Sequence, residues 1–144
     1  MTEPLKLIAQ TPEDLTVMSS LMQDTTVKVG DMAWQESEQL FAFVGNRYRW
    51  EKKGWFRRPK GERVRTAIHF SGIKHVQLSG VSLDDKDQVL GLLDMEAHDS
   101  GVGTTILLNF AGGGTVKLSC EVVDAALTDL TTPWEAKSRP RHDD

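Results

Sequence analysis

A basic, aromatic-rich stretch is the part of this sequence whose residue types could do the most chemistry. Residues 47–65, RYRWEKKGWFRRPKGERVR, hold nine of the 17 basic residues and two of the 21 acidic ones, so their net charge is +7. Cations that hold phosphates and aromatics that stack on bases together bind single-stranded nucleic acid. The same residue types suit an anionic membrane surface or an acidic partner protein. The candidate interaction surface comprises Arg47, Arg49, Trp50, Lys52, Lys53, Trp55, Phe56, Arg57 and Arg58.

The net charge of the rest of the chain indicates which partners this surface is expected to bind first. Outside residues 47–65 the net charge is −11, and long-range repulsion by that charge slows the approach of a polyanion. We therefore expect a protein partner or self-association before nucleic acid, and nucleic acid before an anionic membrane surface. A structural interpretation stays open beside these. In that interpretation residues 51–62 are an exposed loop whose aromatics cover the core and whose charges keep it in water.

A second group of polar residues could serve a small-ligand pocket or an enzyme. Asp94 and Glu96 share one strand face because strand side chains alternate with a period of two, and such a pair suits acid–base work or a divalent cation. With His69 and His98 they are the available suppliers of a polar pocket at the end of a β-barrel. We favour a simpler interpretation, the solvated face of an edge strand. No HxH or HExxH spacing occurs, so we expect no metal site and no cofactor.

The single cysteine, Cys120, bears on both chemistry and location. It alternates with Leu118 and Val122 and is expected to face the core as an inert small apolar residue. One cysteine excludes an internal disulfide. The N-terminus lacks the regions of a signal peptide, and no apolar run approaches the roughly 18 residues of a membrane span. These features predict a cytoplasmic protein.

A run of three glycines in FAGGGTVKLSC, residues 110–120, could be a phosphate-binding loop or a tight turn. A phosphate loop needs the GxxxxGK[ST] spacing followed by a helix, and here an alternating, strand-like pattern follows instead. The segment also aligns without gaps with FSGIKHVQLSG, residues 70–80. We therefore predict that both glycine segments are hairpin turns. The match suggests a candidate internal repeat of two meanders, residues 38–81 and 88–123.

The elements that position these residues can be predicted from local patterns. Residues 4–10 alternate as a short strand, and TPEDLTVMSSLMQD then predicts a helix with Thr11 as N-cap and Pro12 in the first turn. Leu15, Met18, Leu21 and Met22 form its expected buried stripe. A strand near residues 26–35, a polar turn at 36–39 and a strand from Leu40 to Trp50 follow, with a bulge expected at Gly45. Further strands are predicted at 64–70, 73–81, 89–97, 104–110 and 115–123, while residues 123–130 fit either a helix or a strand.

These elements predict an α+β fold that is mostly β. Two antiparallel β-meanders would pack as a sandwich or a small barrel, with one N-terminal helix. The strand count and a terminal helix would also suit a pleckstrin-homology-like barrel, which carries no function by itself. We expect one globular domain over residues 1–134, with Trp134 packed on its body. Residues 135–144 are expected to be a frayed polar tail.

Several motifs together resemble a known family. They are VGDMAW (29–34), FAFVGNRYRWE (41–51), RVRTAIHF (63–70), FAGGGTVKLSCEVVDAALTDL (110–130) and PW (133–134). The chain resembles a family of small single-domain proteins of unknown function from alphaproteobacteria. This resemblance implies a bacterial, soluble, single-domain protein and brings no catalytic residues with it.

The sequence thus predicts a non-enzymatic binding or adaptor domain that uses the basic aromatic segment. The first alternative is a small-ligand-binding protein or enzyme with a pocket at the end of a β-barrel. The second is an accessory protein that binds nucleic acid.

Overall fold

One antiparallel sheet and one α-helix account for most of the described chain. The computed structural model describes residues 5–48 and 63–130, which confirms a mostly β fold with a helix near the N-terminus. The elements are β1 (Lys6–Ala9), α1 (Pro12–Met22), β2 (Thr26–Gln35), a 3-10 turn (Glu36–Glu38), β3 (Leu40–Tyr48), β4 (Arg63–Ser71), β5 (His75–Ser79), β6 (Val89–Asp99), β7 (Thr104–Phe110), β8 (Thr115–Cys120) and β9 (Ala125–Asp129).

The sheet has nine strands in the order β1-β9-β4-β3-β2-β6-β7-β8-β5. This order forces it to bend, because β4 is third and β5 is ninth although they are consecutive in the chain. Six strand spacings in a flat sheet are about 29 Å. The chain from Ser71 to His75 spans at most roughly 14 Å. The sheet therefore curves until its two halves share one core, to which strands from both halves contribute buried residues.

The helix α1 forms as its local sequence predicts. The Thr11 side chain accepts a hydrogen bond from the Asp14 amide at 3.0 Å, and Pro12 lies in the first turn. Leu15, Met18 and Met22 are buried, while Leu21 is only half-buried. The helix thus covers the sheet with a narrower apolar stripe than the sequence suggested.

A bulge in β6 sets the direction of the polar residues that follow it. The pairing register with β7 shifts between Leu92 and Asp94, so Leu92 and Met95 both face the core. Leu93, the extra residue, is 46% exposed. The Met95 amide donates to the Ser19 hydroxyl of α1 at 2.8 Å, which satisfies a buried donor beside the bulge. Residues on alternate positions from Asp94 onward consequently face outward.

The irregularity expected at Gly45 lies in the opposite strand. Between the pairs Val27↔Gly45 and Met32↔Phe43, β2 advances by more residues than β3, while β3 pairs with β4 without interruption through Gly45↔Thr66. The predicted bulge in β3 is therefore wrong. Gly45 serves a close approach instead, because a Cβ there would lie 2.8 Å from the Thr26 carbonyl oxygen.

The triple glycine is a hairpin turn, as predicted. It joins β7 to β8, and the Phe110 amide donates to the Gly114 carbonyl oxygen at 2.8 Å. Gly112 and Gly113 have φ of 91° and 97°, which favour glycine. The matching segment at 70–80 is not a hairpin, because β5 leaves β4 and pairs with β8. The two aligned segments therefore differ in structure, and β5 instead lies antiparallel to its own match.

Residues 125–129 are a strand rather than a helix. β9 pairs with both β1 and β4 and so lies between them in the sheet. This removes the terminal helix on which the likeness to a pleckstrin-homology barrel partly rested. Trp134 and the tail at 135–144 lie outside the described residues.

Candidate functional site

Most of the predicted interaction surface falls between the two described ranges. Residues 49–62 include all members of that surface except Arg47, and they lie outside the described residues. Arg47 is described, and its side chain is buried rather than presented at the surface. The structure therefore removes Arg47 from the proposed surface and leaves the other eight residues as a prediction.

Arg47 forms a buried ion pair with Asp129, and hydrogen bonds occupy both oxygens of the Asp129 carboxylate. Its Nε donates to Asp129 Oδ1 at 3.0 Å and its Nη2 donates to Oδ2 at 2.8 Å. The Thr66 hydroxyl donates to Oδ1 at 2.7 Å, and the Leu5 amide donates to Oδ2 at 3.2 Å. Each carboxylate oxygen thus accepts two hydrogen bonds. The cluster ties β3, β4 and β9 to the start of β1, and its role is structural.

The two arginines at the start of β4 also have partners within the described chain. The Arg63 guanidinium lies 3.8 Å from the centre of the Tyr48 ring and donates to the Asn46 carbonyl oxygen at 2.8 Å. Arg65 Nη2 lies 3.3 Å from Asp31 Oδ2 in a more exposed pair. The three described arginines of the basic stretch, Arg47, Arg63 and Arg65, therefore have internal partners. The remaining part, residues 49–62, contains six basic and two acidic residues, a net charge of +4.

The strands that flank residues 49–62 lie beside the buried ion pair. Tyr48 and Arg63 are the last described pair of the β3–β4 ladder, and the Leu130 amide donates to the Arg65 carbonyl oxygen at 2.7 Å. The Asp129 amide donates to the Leu5 carbonyl oxygen at 2.9 Å. The segment 49–62 consequently begins and ends on neighbouring strands at the same end of the sheet.

The second predicted group partly converges on the outer face of β6 and β7. Asn109 Nδ2 donates to Asp94 Oδ1 and to Glu96 Oε2, each at 2.7 Å. His98 Nε2 lies 2.8 Å from Glu96 Oε1. His69 lies on β4, in the other half of the sheet, and does not belong to this group. Sequence reasoning missed Asn109, because only the register between β6 and β7 reveals it.

This polar cluster is exposed, which limits what it can do chemically. The side chains of His98 and Glu96 are 61% and 42% exposed, so the cluster does not lie in an enclosed pocket. No group of three or more His, Cys, Asp or Glu side chains within residues 5–48 and 63–130 could hold a metal ion. Cys120 is buried, and burial raises the pKa of its thiol, so it is a poor nucleophile.

The hydrogen bond from His98, followed by that from Asn109, lowers the pKa of Glu96 below its usual 4.5. A lowered folded-state pKa means that the stability contributed by ionised Glu96 is present above its ordinary pKa and is lost as the pH falls through the lowered value. We expect His98→Ala to raise the pKa of Glu96 toward 4.5. Carbon-13 NMR titration of the Glu96 carboxyl measures this change. His69→Ala should leave the titration unchanged, and an equal response to both substitutions would contradict the assignment.

Comparison with known proteins gives the family of the chain. Within residues 5–48 and 63–130, no helix is long and apolar enough to cross a membrane. No curated protein matches the chain. A family model described as "Protein of unknown function (DUF2948)" matches residues 5–142, which include the basic segment and the strands on both sides of it. The chain therefore belongs to the DUF2948 family of proteins of unknown function.

Proposed function

We propose that this chain is a non-enzymatic binding or adaptor domain whose β-sheet presents residues 49–62 to an acidic partner protein. One observation carries the proposal: Arg47, Arg63 and Arg65, which flank the segment, have partners within the described chain, whereas residues 49–62 themselves have a net charge of +4. Trp50, Trp55 and Phe56 lie in that same connection, and Trp and Arg are typical anchors of protein interfaces.

The anchoring of this connection supports a binding role. Tyr48 and Arg63 are the last described pair of an uninterrupted antiparallel ladder, and the buried Arg47–Asp129 pair holds β3 against β9. A segment whose two ends are fixed loses less conformational freedom on binding than a free chain end. The sheet therefore acts as a frame for the segment.

Charge favours a protein over a nucleic acid or a membrane. The described residues contain fifteen acidic and eight basic residues, a net charge of −7. That charge repels a dense, extended polyanion over a long range, whereas a folded partner can offer a local acidic patch to the segment alone. Nucleic acid stays the second candidate, and an anionic membrane surface the third.

An enzyme or small-ligand protein is a weaker candidate. The residues available for it, Asp94, Glu96 and His98, do meet. They meet on an exposed sheet face, where a ligand would keep most of its contact with water, whereas small-ligand sites enclose most of the ligand surface. A solvated sheet face explains the cluster without a ligand.

We further propose that the bent sheet packs as a sandwich or small barrel, since consecutive strands β4 and β5 must come close although they are far apart in the sheet order. A cytoplasmic location and a source among the alphaproteobacteria remain predictions. The single buried thiol fits a reducing compartment.

A pull-down with matched variants tests the proposal. The test variant combines Trp55→Ala with Arg57→Glu and Arg58→Glu. The control combines Val102→Ala with Lys86→Glu and Lys117→Glu, which changes the net charge equally on exposed parts of the described surface. We expect a protein partner that survives nuclease, is retained by the control and is lost with the test variant.

Other outcomes of this experiment decide between the alternatives. A partner retained equally by both variants overturns the proposed surface. Binding that disappears with nuclease and weakens steeply with salt would indicate nucleic acid instead.

A further inference from the structure

Among the described residues, β5 is an edge strand of the sheet, and its own sequence lacks the usual protection. It pairs with β8 and is last in the sheet order. Natural edge strands usually carry Lys, Pro, a bulge or an inward charge that prevents pairing with another chain. β5 has the sequence HVQLS, which contains no Lys, Arg, Asp, Glu or Pro. The preceding Lys74 is engaged with Glu121, at 3.0 Å.

The other edge strand is better protected. β1 has only four residues, and one of them is Lys6. It also lies beside the buried Arg47–Asp129 pair, where the Leu5 amide donates to the Asp129 carboxylate. Of the two edges in the described sheet, β5 is therefore the one that is open to another strand.

The inner side of β5 leaves apolar surface incompletely covered. Val76 and Leu78 pack against the core but are only half-buried. Their counterparts on the neighbouring strand, Val116 and Leu118, are fully buried. A further strand beyond β5 would cover this remaining apolar surface, as β5 covers that of β8.

The pairing of β5 with β8 within the chain shows how such a strand could pair with β5. β5 (HVQLS) lies antiparallel to β8 (TVKLS), a strand with the same Val-x-Leu-Ser pattern. In this pair Val76 is opposite Leu118, and Leu78 is opposite Val116. A strand of the β5 pattern is therefore compatible with β5 as an antiparallel neighbour.

We propose that the free edge of β5 pairs antiparallel with β5 of a second copy of this chain, about a two-fold axis at Gln77. In this register Gln77 faces its own counterpart, Val76 faces Leu78 and His75 faces Ser79. Lys74 faces Gly80, so no formal charge meets a like charge. The pairing is isologous and closes as a dimer, with one sheet running through both copies.

Charge variants at Gln77 test this pairing. Gln77 is exposed and lies opposite Lys117 of its own chain. Gln77→Glu therefore gains an opposite charge within the chain, but places two carboxylates face to face across the dimer axis. We expect a wild-type dimer by sedimentation equilibrium and an approximately fivefold weaker dimer for Gln77→Glu, since like charges directly opposite each other destabilise a strand pair.

The reciprocal variant makes this test specific. Gln77→Lys should also weaken the dimer, whereas an equimolar mixture of the Glu and Lys variants should associate at least as well as the wild type. A monomeric wild type overturns the proposal. So does a dimer whose dissociation constant is unchanged by both charge variants.

Disulfide trapping then tests the register of the two β5 strands. Gln77→Cys should form an intermolecular disulfide under mild oxidation, because directly opposite Cβ atoms are about 5 Å apart. Ser79→Cys, on the same strand face, is the matched control: the two copies of residue 79 would be about 13 Å apart along the strands and should not cross-link. The one native cysteine is buried. Cross-linking of the Ser79 variant with none for Gln77 contradicts this register.

Discussion

Asp129→Ala is expected to lower the free energy of unfolding by about 3–5 kcal/mol, since removal of one member of a buried ion pair leaves the other charge uncompensated. Asp129 and Arg47 are 6% and 5% exposed, and the carboxylate accepts hydrogen bonds from Arg47, Thr66 and Leu5. The substitution leaves all of these donors without their acceptor. Urea denaturation followed by circular dichroism measures the loss as a lower transition midpoint with an unchanged slope.

A double variant separates the loss of charge pairing from the loss of packing. Arg47→Met combined with Asp129→Leu replaces both charges by apolar side chains, and such replacements of buried ion pairs are often neutral or stabilising. We expect the double variant to recover most of the stability that Asp129→Ala loses. If Asp129→Ala is too unstable to purify, the double variant and Asp129→Asn still give measurable transitions. If the double variant is less stable than Asp129→Ala, the unpaired charge is not the main cause of the stability that Asp129→Ala loses.

The elements that sequence patterns predicted well depend on local interactions. The cap of α1 requires only Thr11 and an amide three residues later, and the turn at 110–114 requires only glycines with positive φ. Asp94 and Glu96 point to the same face of β6 because side chains alternate between the two faces of a strand. In each case the interacting groups lie within a few residues, so their types and spacing contain the information.

The features that the sequence could not predict depend on pairings between distant segments. Arg47 has the residue type of a surface cation, and only Asp129, 82 residues later, makes it a buried one. The path from β4 to β5 looks like a hairpin locally, but β5 pairs with β8, which is far from β4 in the sheet order. Asn109 joins the polar cluster through a register that a bulge near Leu93 changes. These contacts are set by tertiary structure rather than by local propensity.

Gly45→Ala is expected to destabilise the fold by about 1–3 kcal/mol, the usual cost of forcing an added methyl group into a packed core. An added Cβ would lie 2.8 Å from Thr25 Cγ2 and 2.8 Å from the Thr26 carbonyl oxygen. Alanine in a strand would otherwise gain about 0.5–1 kcal/mol over glycine, so the steric cost must exceed that gain. The backbone there resists movement, because the Leu92 amide donates to the Thr25 carbonyl oxygen at 2.8 Å.

Gly91→Ala is the matched control for this prediction. Gly91 is also a strand glycine without a positive φ, and a Cβ there would meet only the Ala111 Cβ at 4.0 Å. That substitution should be neutral or stabilise by up to about 1 kcal/mol through the unfolded state. Thr25→Ser, which removes Cγ2, should restore only part of the stability of Gly45→Ala, since the contact with the Thr26 carbonyl oxygen remains. Equal stability of the two alanine variants in urea denaturation would show that β2 does not approach Gly45 this closely.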